Sequence, residues 1–229
     1  MGGVRTGAKG VGRSTSDRRR YDSPLRAKRA VETRAGLVDA ATTLFVSQGW
    51  AKTGMREVAQ LAGVAVETLY SHFASKRALL DAVVDRAVVG DDAPIPVVGR
   101  EEFVAIGRGR RTDRVAAAAA VLADIHERTA PFARLLREAA TSDAEIAEVL
   151  RATRERQRRD VEAGLTLILG RAPTARERDG VWALLSPEVY LLLVDGSGWS
   201  IDEYRTWVAD TLSSVLPRSS REKESGDGR

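Results

Sequence analysis

The sequence contains no cysteine, so a disulfide framework and a thiolate metal site are both excluded. It has two histidines, His72 and His126, far apart along the chain. A histidine zinc site or a Ser-His-Asp triad therefore has little to build on, and no metal is expected. Its longest unbroken apolar run, Val115–Ala123, is mostly alanine. A membrane-spanning helix needs about 20 such residues, and no apolar stretch follows the basic N-terminus as a signal peptide would require. No membrane partner is expected, and the expected location is the cytoplasm. A strand-like alternation of apolar and polar residues is missing, as is an internal repeat. So are a nucleotide-binding glycine loop and a nucleophile elbow. Neither enzymatic activity nor a cofactor is expected. The pair His126-Glu127, with Glu138 nearby, could be read as acid and base, and a polar contact to a ligand explains it equally well.

What is present is uneven charge and helical periodicity. Residues 1–80 hold 14 Lys/Arg against 6 Asp/Glu, a net +8, whereas the remainder holds 22 against 26, a net −4. A basic first third on a mildly acidic body points to a polyanion partner for that third. A soluble protein with a basic tail gives the same balance, and so does a helical protein that coats nucleic acid or a membrane surface. Residues 1–26 and 217–229 are rich in small and charged residues and read as a disordered basic arm and a disordered tail. In the arm and just beyond it, Arg18–Arg20, Arg26, Lys28 and Arg29 are candidate phosphate or minor-groove contacts.

Between these ends the chain reads as all-α. A first helix is predicted over Ala27–Gln48, with Leu37, Val38, Ala41, Leu44 and Phe45 as its stripe and Gly49 as its stop. A short helix follows over about 54–62 with Thr53 as its cap, another over 66–73, and a longer one from the cap Ser75 to Val89. Gly90–Pro96 reads as a linker. Further helices are predicted near 98–109, 113–129, 131–140, 143–169, 175–195 and 201–216. Capping boxes open three of them, at Ser142…Glu145, Thr174…Glu177 and Ser200…Glu203, and Pro187 should kink the fifth.

The informative stretch is Thr53–Lys76, TGMREVAQLAGVAVETLYSHFASK. Two short helices flank Ala62-Gly63-Val64, the layout of a helix-turn-helix whose second helix enters the major groove. Ala59 must be small where the second helix crosses, Gly63 can take a positive φ, and Val64 and Leu69 bury against the first helix. The opposite face should present Val66, Glu67, Thr68, Ser71 and His72, with Arg56 on the first short helix. Glu67 and Thr68 are the plausible base readers, since a carboxylate accepts from cytosine and a threonine methyl meets that of thymine. Tyr70 serves either packing or a phosphate hydrogen bond, and Lys76 would meet a phosphate at a helix N-terminus.

This segment resembles the DNA-binding segment of the tetracycline-repressor (TetR) family of bacterial transcriptional regulators. The residues that carry the resemblance are Thr53, Val58-Ala59, Ala62-Gly63-Val64, Thr68-Leu69-Tyr70, His72-Phe73, Ser75-Lys76 and Leu79-Leu80. Residues 28–90 fit well, apart from Gly54-Met55. Gly198-Trp199-Ser200 with Tyr204, Trp207 and Leu212 resembles the last helix of many members. The resemblance implies phosphate contacts by Thr53, Tyr70, His72 and Lys76. It also implies a double-stranded operator, a homodimer, a small-molecule effector and, more often than not, repression. The organisation expected is a three-helix DNA-binding domain over 27–74, a connecting helix over 75–90, and a larger helical ligand-binding and dimerisation domain over 91–216.

In that larger domain large side chains are scarce, so Phe103, Phe132, Trp182 and Tyr190 are the candidate anchors for a largely apolar ligand. His126, Glu127 and Arg137 are candidate polar contacts, and core packing would explain each of these residues as well. Val181–Val194 is apolar on nearly all sides and needs covering on two faces, which argues for dimerisation. Val189, Leu192, Tyr204, Trp207, Val208 and Leu212 are the candidate interface, with two helices from each chain forming a four-helix bundle. Arg151–Arg159, five arginines in nine residues, reads as a solvated helix face.

Overall fold

The computed structural model describes residues 15–91, 93 and 95–217, with side chains from residue 26 onward. The expectations for residues 1–14 and 218–229, and for Asp92 and Pro94 of the linker, lie outside the described residues. Every regular element among the described residues is helical: α1 Thr15–Lys52, α2 Met55–Leu61, α3 Val66–His72, α4 Lys76–Val89, α5 Glu101–Ala105, α6 Arg111–Ala139, α7 Ala144–Leu169, α8 Ala175–Leu184, α9 Pro187–Tyr190 and α10 Ile201–Val215. A 3₁₀ turn over Val97–Gly99 precedes α5, and a π-helical stretch over Leu191–Gly196 continues α9.

Four expectations are corrected. Residues 15–26, expected to be disordered, are helical, because extending an existing helix costs far less than nucleating one and the segment is rich in arginine. The two helices predicted around Pro131 are one, α6, with the proline on its exposed side and flanked by the buried Ala130 and Phe132. Packing on either side of Pro131 outweighs the hydrogen bond it removes. The single helix predicted over 175–195 instead breaks at Leu185, and Pro187 opens α9 in its first turn, where its missing N–H costs nothing. Finally, Asp143 caps α7 in place of Ser142, its carboxylate accepting from the N–H groups of Glu145 (2.9 Å) and Ile146 (3.2 Å). The boxes at Thr174 and Ser200 form as their sequences direct.

The buried residues form two apolar clusters. The first joins α1 (Leu37, Phe45), α2 (Val58, Ala59), α3 (Leu69) and α4 (Leu79, Leu80, Val83) to Phe132 and Leu136 of α6 and Ile146 and Val149 of α7. The second gathers Phe103, Ile106, Ala119, Ala123, Leu165 and Val181 around Tyr190, Tyr204 and Val208. Tyr204, Val208 and Leu212 are thus interior residues of one protomer and are corrected as interface candidates. The last helix turns its tyrosine inward because the amphipathic face of α10 is needed to cover α6. His126 is buried beside Tyr204, its Nδ1 2.8 Å from the tyrosine hydroxyl. Tyr190 packs edge-on against Tyr204, with centroids 4.9 Å apart. Burial pushes the imidazole down to about 4, against a weaker opposing pull from Glu188.

This architecture makes two outcomes testable. Gly63 has φ +69° with open space around its α-carbon, so Gly63→Ala meets only backbone strain. A loss of about 1–2 kcal/mol is expected in urea unfolding, with Gly63→Asn less affected. For His126, the unfolded chain binds a proton near the ordinary value of 6.5, whereas the folded imidazole refuses it down to about 4. Its contribution is therefore complete above 6.5 and is lost as pH falls toward 4, by about 2 kcal/mol between pH 6.5 and 5. His126→Asn should flatten that part of the stability–pH curve measured by denaturant melts.

Candidate functional site

The helix-turn-helix is built from the turn outward. The N–H of Val64 donates to the Ala59 carbonyl at 3.0 Å, which draws α3 across α2 where the side chain is only a methyl. Ala59, Val58 and Leu69 are completely buried, and Val64 packs at the edge of the same cluster. With Leu69 held inside, the remaining positions of α3 sort by their angle about the helix axis. Glu67, Tyr70 and Ser71 are exposed, Thr68 and His72 half-buried, and Arg56 of α2 exposed. The Ser71 hydroxyl donates to the Thr68 carbonyl at 2.7 Å, so its oxygen stays available as an acceptor.

Three of the sequence-derived site residues are placed differently. Thr53 does not cap α2. It is buried, and its hydroxyl donates to the Gly49 carbonyl at 2.9 Å. Gly54 takes the capping position, and Glu57 accepts from its N–H at 3.0 Å, which makes good the departure at Gly54-Met55. The cause is Gly49, whose φ of 79° breaks α1 and leaves a carbonyl for the threonine to satisfy. Val66 packs against the apolar cluster and does not join the outward face. Lys76 folds back to donate to the Trp50 carbonyl and lies 4.1 Å from the centroid of the Trp50 ring. Desolvation there pulls its ammonium below the ordinary lysine value, opposed by Asp143 and Glu57.

Sequence reasoning missed how this unit is tied to the rest of the molecule. The Trp50 indole N–H donates to Asp143 at 2.8 Å, and the same carboxylate group caps α7. The Trp50 bond leads the interactions that hold the Asp143 carboxyl below the usual range. Arg86 of α4 reaches Asp39 of α1 at 2.9 Å. Arg128 of α6 donates to the last carbonyls of α4, at Ala87 (3.0 Å) and Val88 (3.1 Å). Each pair lies tens of residues apart, and no local pattern marks it.

A cavity of about 640 Å³ opens between α4, α6, α7 and α8. Phe103, His126, Phe132 and Trp182 line it as expected from their types and positions. Tyr190 is corrected: it lies in the second apolar cluster, behind His126, and does not itself line the cavity. Glu127 and Arg137 are also absent from the lining, whose polar members include Thr129, Thr153, Gln157, Asp160 and the ion pair Arg154–Glu188 at 2.9 Å. The arginine run of α7 is largely paired, Arg151 with Glu148 and Glu155, Arg156 with Asp85, and Arg158 with Asp179. The face is solvated as expected, with its charges paired across it. Val189 and Trp207 are half-buried and Leu192 is exposed. Among the described residues no group of three metal-ligating side chains converges, and no helix is long and apolar enough to cross a membrane.

Residues 37–83 match the model of the bacterial regulatory proteins of the tetR family. Over 56 residues, 24% of this chain, the sequence is 41% identical to the HTH-type transcriptional regulator TtgR of Pseudomonas putida, covering 27% of that protein. It is 46% identical over 57 residues to the HTH-type transcriptional activator FasR of Mycolicibacterium smegmatis, covering 25% of this chain and 26% of the activator. The matched segment thus spans about a quarter of the length of these curated relatives. In fold, 82% of the chain superposes on 96% of a TetR-family transcriptional regulator from Mesorhizobium loti, with a TM-score of 0.62 and 19% identity. The helix-turn-helix segment of this chain is thus similar to that of the tetR family of bacterial regulatory proteins, and the rest of the chain shares a fold with one such regulator.

Proposed function

We propose that the protein is a transcriptional regulator that binds a palindromic DNA operator as a homodimer, in a repressing role, and leaves it when a small, largely apolar molecule fills the cavity. The observation that carries this reading is the outward face of α3. Glu67, Tyr70 and Ser71 stand exposed on a helix whose opposite residue, Leu69, is completely buried. Arg56 and the basic first third of the chain supply attraction for the duplex. Glu67 and Thr68 serve as base readers, and Tyr70, Ser71, His72 and Arg56 as contacts to the backbone.

The coupling follows from α4. Only three residues separate this helix from α3, and its Ala82, Val84, Asp85 and Val88 line the cavity. Its Leu79 and Val83 are buried against the helix-turn-helix. A ligand that prefers one setting of α4 changes the spacing of the two reader helices by its differential affinity for the two settings. For the dimer, Val189, Leu192 and Trp207 remain as the candidate contact, Leu192 being 67% exposed in the single protomer. An exposed leucine beside half-buried apolar neighbours suits an isologous contact.

Selection of bound duplexes from a random pool, followed by anisotropy titration, tests the reading. One inverted repeat should emerge, with half-sites about one helical turn or a little more apart. Thr68→Ala should relax the preference at one base position by about 1–3 kcal/mol, whereas Tyr70→Ala should weaken specific and nonspecific binding alike. Unchanged binding in both would remove α3 as the reader. Leu192→Glu should shift the protein to a monomer in sedimentation while preserving its helical circular dichroism, because a carboxylate would be buried unpaired at the contact.

A further inference from the structure

The polar end of the cavity carries a carboxylate on which no hydrogen bond or ion pair closes among the described residues. On α7 the cavity lining includes Thr153, Gln157 and Asp160 and the apolar Val161, Leu165 and Ile168, with Arg154, Arg156 and Arg159 beside them. Asp160 is half-buried, and among the described residues no hydrogen bond or ion pair closes on it. Burial raises its carboxyl above the ordinary value, against the weaker pull of Arg159 and Arg156. The cations around it are committed elsewhere or are in water. Arg154 pairs with Glu188 at 2.9 Å, and Arg156 with Asp85 at 3.6 Å and with the Thr153 hydroxyl at 3.2 Å. Arg34 lies over the Phe73 ring at 5.0 Å, and Arg86 pairs with Asp39. Arg159 is exposed. The Trp182 indole N–H, also on a residue of the lining, is buried with no acceptor among the described residues.

A half-buried carboxylate that has lost part of its hydration gains more from an incoming cation than a hydrated surface arginine gains from an anion. We propose that the cavity selects an organic cation: an apolar, ring-containing body bearing one protonated amine, with Asp160 as its counter-ion and the Trp182 N–H as donor to a polar group of the ligand. This rests on the reading of the cavity as the effector site and sharpens it, since a merely apolar ligand would leave both polar groups unserved.

Three dansyl probes of nearly equal size test it on the full chain: dansylcadaverine, which carries a protonated amine, the neutral N-hexyl dansylamide, and the anionic dansyl-aminohexanoate. Binding is read by anisotropy and by energy transfer from tryptophan. Dansylcadaverine should bind tighter than the neutral probe by about tenfold or more, and the anion weakest. Asp160→Asn should collapse the gap between cation and neutral probe by weakening the cation, with an unchanged urea-unfolding midpoint reporting an intact fold. Asp160→Glu should retain the gap. Trp182→Phe should remove most of the energy transfer and weaken all three probes together. A gap that survives Asp160→Asn overturns the proposal, as does tightest binding of the anion or equal binding of all three. Operator release is measured separately. An Asp160-dependent cation that leaves DNA binding untouched upholds this inference and overturns the effector reading. Release by neutral compounds with no cation preference does the reverse.

Discussion

The structure depends on one helix holding two cores at once. α6 runs for 29 residues, about 43 Å, without a break at Pro131. Its first part buries Val115, Ala119 and Ala123 in the distal cluster under α10, and its last turns bury Phe132 and Leu136 against α1 and α4. The alanines are what permit this, since a helix covered on several sides needs small residues where its neighbours approach. Because α6 is continuous, the helix-turn-helix is not an independent bead. Its core is completed by residues contributed more than 50 positions later in the chain.

The polar ties follow the same path. Trp50 stacks on Phe45, receives Lys76 over its ring and donates to Asp143, so the end of α1, the start of α4 and the start of α7 meet at one indole. Arg128 meets the carbonyls at the far end of α4, where the helix dipole favours a cation. α4 is therefore held at its far end by α6, at its start by Trp50 of α1, and along its side by the helix-turn-helix. One continuous helix thus joins the cavity wall to the helix-turn-helix.

The interior of the larger body is polar in a restricted way. His126 is kept neutral by burial and paired to a tyrosine, which fixes the packing of α6 on α10 without adding a buried charge. The ion pairs of α7 sit near the protein surface, where they set direction more than stability. Asp160 departs from this economy, and it does so on the wall of the cavity.

Local pattern was enough for the helical class, the turn at Gly63, the buried Ala59 and Leu69, the cap at Ser75 and the boxes at Thr174 and Ser200. Each of these rests on interactions within about four residues, or on a stripe whose period is set by the helix itself. Neighbour-level signals misread Thr53, because a carbonyl freed at Gly49 claimed its hydroxyl, and Lys76, because Trp50 lay within its reach. They misread Pro131 and Tyr204 for a related reason. Whether a proline breaks a helix, and whether a tyrosine faces a partner or its own core, is decided by what packs on the other side. The cavity's four aromatic and imidazole lining residues were legible by type, but its charge was not. The sequence by itself determined the helical class and the helix-turn-helix spacing around Gly63, since those are near-neighbour energies. Tertiary structure alone decided which of many carboxylates and arginines would be left without a partner, because pairing depends on distances that only the packed chain creates.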